Sequence, residues 1–250
     1  MKGVVLSRVE QEFLLKLLAQ GQRLDARKLE QQRAVEILLG DEYGYVDVKM
    51  GRSRVVVRVL SDIVAPREDR PFEGIFTINV NVGSAVLLVV PEGDEVVVQR
   101  VVEKAVRRAG ALDLESLCIV AGRYCWAIRA EVHVLEVDGS LVDISNLAVV
   151  VALLHYRLKK VSLSSSGGGS DEQRLVVHPE SEAEPVRLAL LHMPLSVTYS
   201  FFGKDSNDDD GDSEMENDKE TGEIGETVVV DAAFREEMLR ESFLIVTMNS

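Results

Sequence analysis

Cysteine and aromatic residues are scarce in this 250-residue chain. Two cysteines, Cys118 and Cys125, cannot build a disulfide scaffold. Aromatics make up only 5% of the residues, so a core must come from Val, Leu, Ile and Ala. The longest uncharged runs, 75–91 and 188–203, are interrupted by Asn79, Asn81, His192 and Pro194. Neither resembles the roughly 20-residue apolar stretch of a membrane helix, so no membrane partner is expected. The start, Met1-Lys2-Gly3-Val4-Val5-Leu6-Ser7-Arg8, shows no secretory signal, and a reducing compartment is expected. Phosphate-cradling and dinucleotide glycine motifs are absent, as is a G-x-S-x-G nucleophile elbow. His133, His155, His178 and His192 lack ligand spacing, so no metal and no cofactor is expected.

A surplus of positive charge is also missing. The formal net charge is −14, from 28 basic and 42 acidic residues. Nucleic-acid binders usually carry a basic excess, so the total argues against that class. Its distribution argues otherwise. Asp205–Glu226 holds eleven carboxylates and one lysine, leaving 27 basic and 31 acidic residues elsewhere. Residues 1–130 are balanced, with 19 basic and 18 acidic. The acidic window reads as a solvated loop or as a partner-binding segment. Ser206 and Ser213 within it stand in an acidic kinase-site context.

The hydrophobic fraction, 46%, is that of a globular chain. Ser7 and Glu10 form a capping-box pattern before Phe13, Leu14, Leu17 and Leu18, which predicts a helix stopped by Gly21. Strands are predicted at Arg33–Leu39, Tyr45–Met50, Arg54–Leu60, Ile75–Val82, Ala85–Val90, Leu117–Ala121 and Cys125–Val137. Further strands are predicted at Arg174–His178, Arg187–Phe202, Thr227–Val230 and Phe243–Met248. Helices are predicted at Glu95–Arg108, Ile144–Tyr156 and Ala232–Glu241. This order is α+β, without regular βαβ alternation. A strand group followed by a helix occurs on both sides of residue 140. We read residues 1–250 as a single domain with flexible insertions at 164–170 (Ser/Gly) and 205–226 (acidic).

Two features carry possible chemistry. Arg100, Lys104 and Arg108 recur at i, i+4, i+8 on the predicted helix, with Arg107 beside them. They form either a phosphate-binding strip or a solvated face steadied by a Glu103–Arg107 ion pair. Tyr124-Cys125-Trp126 is either a base-stacking platform or one turn of a strand with Trp126 in the core.

Several stretches together resemble one family: Gln22-Arg23-Leu24-Asp25-Ala26-Arg27, Val46-Asp47-Val48-Lys49-Met50-Gly51, Glu68–Gly74, Glu103–Val142 and His178–Pro185. This pattern is similar to the ribonuclease PH family, as found in ring subunits of the eukaryotic RNA exosome. The resemblance covers about residues 5–249, without the two insertions. It implies a ribonuclease PH-like fold of two similar ββαβ-type halves with packed helices. It also implies a hetero-hexameric ring of similar subunits, a cap of RNA-binding proteins, an associated hydrolytic nuclease, threaded RNA, and a nuclear, nucleolar and cytoplasmic location. Longer members continue into a tail beyond the last strand.

Active members of the family are phosphorolytic and hold phosphate with an arginine shortly after an Asp-Gly turn. Here Asp138-Gly139 is followed by Val142 at that position. A valine cannot donate the forked hydrogen bonds a phosphate needs. Arg187–Gly203, where active members place aspartates, contains no carboxylate. No catalytic residue is therefore assigned. The resemblance favours RNA contact by Arg107 and Arg108, with Lys104 and Arg100 extending the strip. The alternative is a phosphate-dependent 3′-to-5′ exoribonuclease with a composite site at a subunit interface.

Overall fold

The computed structural model describes residues 6–83, 86, 94–165, 173–203 and 227–249. The acidic window and most of the Ser/Gly stretch lie outside these residues, as does nearly all of the predicted strand Ala85–Val90.

The N-terminal helix α1 (Arg8–Ala19) starts on the expected capping box. The Ser7 amide donates to Glu10 Oε2 at 3.0 Å, and the Glu10 amide donates to Ser7 Oγ at 3.3 Å. Leu14 and Leu18 point inward, while Phe13 stays exposed.

Six strands make the main sheet: β1 (Val35–Leu39), β2 (Tyr45–Met50), β3 (Ser53–Val64), β4 (Ile75–Val82), β5 (Cys118–Val120) and β6 (Tyr124–Glu136). They are ordered β1-β2-β3-β6-β4, with β5 paired to the start of β6. Only β4 and β6 run parallel. Along β6 every second residue from Trp126 to Val134 is buried, the period of a sheet packed on one face. Trp126 is thus core, and the stacking-platform reading fails for it.

Helix α2 (Asp94–Glu103) continues through a wide i→i+5 turn at Lys104–Arg108. A 3₁₀ turn at Glu115–Leu117 then leads into β5. Helix α3 (Leu141–His155) begins three residues before its predicted start, because the Asp138-Gly139 turn feeds it directly. It packs on β2 and β3 on one side and on the second sheet on the other. A helix covered on both sides reads as apolar almost all round, and Ile144, Ala148, Val149, Ala152 and Leu153 are sealed.

Past α3 come the short strands β7 (Arg157–Leu158), β8 (Val161–Ser165), β9 (Gln173–Val177) and β10 (Val186–Arg187). They pair as β7–β10 and β8–β9. The second sheet is antiparallel, with β11 (Pro194–Phe202) between β12 (Thr227–Val230) and β13 (Ser242–Asn249). The predicted long strand Arg187–Phe202 is thus two strands, β10 and β11, separated by 188–193. The predicted helix Ala232–Glu241 is only α4 (Phe234–Glu237), because the chain must return at once into β13.

Buried polar groups tie these layers together. Asn146 of α3 donates from Nδ2 to the Pro194 carbonyl and to Ser196 Oγ, both at 3.0 Å. Asp143, also of α3, accepts from the Thr198 amide at 2.9 Å and from its hydroxyl at 2.8 Å. Asp231, fully buried and in a left-handed conformation (φ 51°), anchors the N-terminal segment. Arg33 donates to it from the backbone at 2.8 Å and from Nη2 at 2.6 Å, and Arg27 Nη1 donates at 2.9 Å. Arg33 also reaches the carbonyls of Asp138 and Gly139. Beside it, Arg23 holds Glu236 through two bonds, at 2.6 and 3.1 Å.

These carboxylates respond oppositely to pH. Burial alone would raise the Asp231 carboxyl, but the hydrogen bonds and charge of Arg33 outweigh it and hold the group below the usual carboxylate range. Its stabilisation is present above about pH 4 and is lost as pH falls through the folded value. Burial dominates at Asp143 and pushes it up to about 6 despite the two bonds from Thr198. Its contribution is complete below about pH 4 and is lost as pH rises through 6.

Asp231→Ala should cost about 3–5 kcal/mol, since it leaves two arginines without their carboxylate, and the urea midpoint at pH 7 measures this. Asp143→Asn stays neutral and keeps donor and acceptor for Thr198. It should raise stability at pH 7.5 by up to roughly 3 kcal/mol, with the gain vanishing near pH 4. Parallel denaturant titrations at the two pH values check this.

Candidate nucleic-acid interface

The wide turn at Lys104–Arg108 decides where the basic helix points. An i→i+5 turn inserts one residue into the helical period. Ala105 and Val106 are consequently both buried, below Val98 and Val102. The regular i, i+4, i+8 face predicted for Arg100, Lys104 and Arg108 does not persist. Arg107 and Arg108 instead turn toward the segment before β4, where they line a cleft of ≈480 Å³ with Arg67 and Arg70. Arg100 and Lys104 are exposed on the helix outside that cleft.

Three carboxylates, Asp69, Glu73 and Glu103, share the cleft with these four arginines. Arg107 is paired with Glu103, the ion pair that the solvated-face reading anticipated. Arg70 Nη1 is 3.0 Å from Glu73 Oε2. Arg67 and Arg108 have no ion pair among the described residues. The cleft thus offers two guanidiniums without an ion pair, flanked by two that are paired with Glu73 and Glu103. Such groups suit phosphate oxygens without reading sequence.

Arg67 and Arg70 were invisible to charge counting, because in Arg67-Glu68-Asp69-Arg70 two carboxylates cancel the two arginines. The tertiary signal is Gly74. Its amide donates to the Leu114 carbonyl at 2.8 Å, and a side chain there would collide with Leu117. This close approach brings the 67–74 segment against the end of the basic helix.

The Asp138-Gly139 turn has different chemistry. Ser140, in a left-handed conformation (φ 50°), leads into α3. Beside it lies a pocket of ≈320 Å³ whose wall combines Val97, Val137, Val142 and Phe243 with the charged Glu237 and Arg240. Val142 packs against the main core and brings no charge. The carboxylates near this turn are already engaged. Burial pushes Glu237 up, and it accepts from the Ser140 amide at 3.0 Å and faces Arg240 at 3.3 Å. Asp143 is held by Thr198. Among the described residues, no group of three or more His, Cys, Asp or Glu side chains could hold a metal ion.

Residues 31–159 match the 3′ exoribonuclease family, domain 1, of ribonuclease PH type. The chain is 42% identical to the exosome complex component RRP45 of Saccharomyces cerevisiae, over 99% of this chain and 78% of that protein. It is 40% identical to the exosome complex component rrp45 of Schizosaccharomyces pombe, over 95% of this chain and 74% of that protein. The fold is shared with the Archaeoglobus fulgidus exosome, solved with RNA bound to its active site. There the TM-score is 0.72 at 23% identity, covering 97% of this chain and 83% of that one. The family match over half the sequence and the full-length similarity agree: the chain belongs to the ribonuclease PH-type 3′ exoribonuclease family.

Proposed function

We propose that this chain is a non-catalytic ring subunit of an RNA exosome core, supporting 3′-to-5′ RNA processing and degradation and contacting RNA that threads the ring. The observation that carries the reading is the 42% identity to the RRP45 component across 99% of the chain. The arginine cleft supplies the RNA contact, through Arg107 and Arg108 with Arg67 and Arg70 facing them. Lys104 and Arg100 extend the basic surface along the helix.

The pocket at Val142 supports the absence of catalysis, because the charges in its wall are already paired. Phosphorolysis needs inorganic phosphate held against the scissile phosphodiester, and the guanidiniums beside this turn are already engaged, Arg33 with the Asp138 and Gly139 carbonyls and Arg240 with Glu237. Ring neighbours of the same family fit the exposed apolar edges. All five residues of β1 are exposed, including Ile37, Leu38 and Leu39, and on β13 so are Phe243, Leu244 and Met248. Such strands call for a covering partner. RNA-binding cap proteins, an associated hydrolytic nuclease, and a nuclear, nucleolar and cytoplasmic location complete the proposal. Imaging of the tagged chain tests the location.

Incubating the purified chain with RNA and inorganic phosphate should release no nucleoside diphosphate above background. Release by this chain alone would overturn the non-catalytic reading, and release that appears only in the assembled ring would favour the composite site at a subunit interface. In the assembled ring, Arg107→Glu with Arg108→Glu should weaken RNA crosslinking several-fold and leave assembly intact. The log–log salt dependence of RNA binding should flatten by about 0.7 for each phosphate that is no longer neutralised. Arg67→Glu with Arg70→Glu should do the same, and an unchanged slope in both pairs would return the cleft to an ordinary solvated surface.

A further inference from the structure

The two cysteines of this sequence, separated by six residues, are brought face to face by the fold. In the antiparallel pairing of β5 with β6, Cys118 stands directly opposite Cys125. Residues opposite one another in such a ladder have Cα atoms about 4.5 or 5.5 Å apart, depending on the type of pair. Both separations fall within the roughly 4.4–6.8 Å span of disulfides, and the side chains share one face of the sheet. The Cβ atoms of opposed residues stand about 4.5–5.5 Å apart, so bridging asks for a contraction of up to about 1 Å. The structure can give it. Strand β5 has three residues, and its register with β6 shifts just after Cys118.

We propose that Cys118 and Cys125 are a reversible redox pair that closes to a cross-strand disulfide when the chain meets a peroxide. Cys125 is fully buried and Cys118 is half-buried, so oxidant reaches Cys118 first. The Cys118 thiolate attacks one peroxide oxygen. An S–O bond forms, the O–O bond breaks, and hydroxide departs as water, leaving a sulfenic acid. The Cys125 thiolate then attacks the Cys118 sulfur. The S–S bond forms, the S–O bond breaks, and a second water carries away the Cys125 proton. Two thiols are oxidised and one peroxide is reduced. Burial and the neighbouring Cys118 both push the Cys125 thiol up, which disfavours it as the first attacker. Once Cys118 is sulfenylated, its share of that effect disappears. In a reducing compartment the pair rests as dithiol and the bridge is transient.

Closure would lock the hairpin that supports the arginine segment. The turn between β5 and β6 holds that segment through the Gly122 amide, which donates to the Pro71 carbonyl at 2.9 Å. Leu117, next to Cys118, is the residue against which Gly74 packs. The bridge would therefore stiffen the platform beneath Arg70. Its chemistry does not depend on the RNA reading and is tested separately.

The test treats the reduced, native full-length chain with one equivalent of hydrogen peroxide, followed by intact mass and tryptic peptide mapping. Cleavage after Arg123 separates the two cysteines, so a linked peptide reports the bridge directly. Expected are a loss of two hydrogens, a linked 118–125 peptide, and full reversal by dithiothreitol. In Cys118→Ser, a change of similar size on an edge strand, no linked peptide should form and oxidation of Cys125 should be at least about tenfold slower. Independent oxidation of each cysteine to sulfinic acid, or a linked peptide that forms only in denaturant, would overturn the proposal.

Discussion

The carboxylate of Asp231 is the constraint on which the architecture turns. It is removed from water at the end of β12 and is met by Arg27 and Arg33 from the segment that enters β1. A buried carboxylate without cations would be unfavourable by several kcal/mol, and buried guanidiniums without a carboxylate likewise. Each half of the chain therefore requires the other. The same Arg33 caps the carbonyls of the Asp138-Gly139 turn, so the constraint also fixes where α3 starts. Charged pairs of this kind add less net stability than apolar packing, but they specify which surfaces meet.

Helix α3 converts that docking into a core. It is wrapped by the main sheet on one side and β11 on the other, and two of its buried polar residues, Asp143 and Asn146, are spent on β11. The pocket beside the Asp138-Gly139 turn is lined by valines, Leu141 and Phe243 together with the Glu237–Arg240 pair. The exposed basic groups lie in a separate cleft, around Arg67 and Arg108.

Much of this was legible in the sequence. The capping box at Ser7 and Glu10, the alternation in 125–137 and the apolar stretch in 144–156 are local patterns, and each became the predicted element. Their ends were less legible. The strand predicted over 187–202 splits because β10 pairs with β7 while β11 joins a different sheet. The helix predicted over 232–241 shrinks to four residues because β13 must pair with β11. Long-range pairing overrode local propensity in both cases. The Arg23–Arg27 stretch was recognisable as a resemblance, yet its role as a structural clamp on Asp231 and Glu236 was not, since its partners lie about 200 residues away.

The sequence by itself determined the class of fold, the family and the concentration of acidity in one window. These are properties of composition and of order along the chain. Only the tertiary structure decided which arginines share a cleft. The net charge of −14 and the cancelling charges around Arg67 both concealed it, because charge counting sums along the chain and a binding surface sums across it. A single wide helical turn moved Arg107 and Arg108 away from Arg100 and Lys104 and toward Arg67 and Arg70. The strand register likewise set Cys118 opposite Cys125, a pairing that seven positions of sequence spacing could not establish.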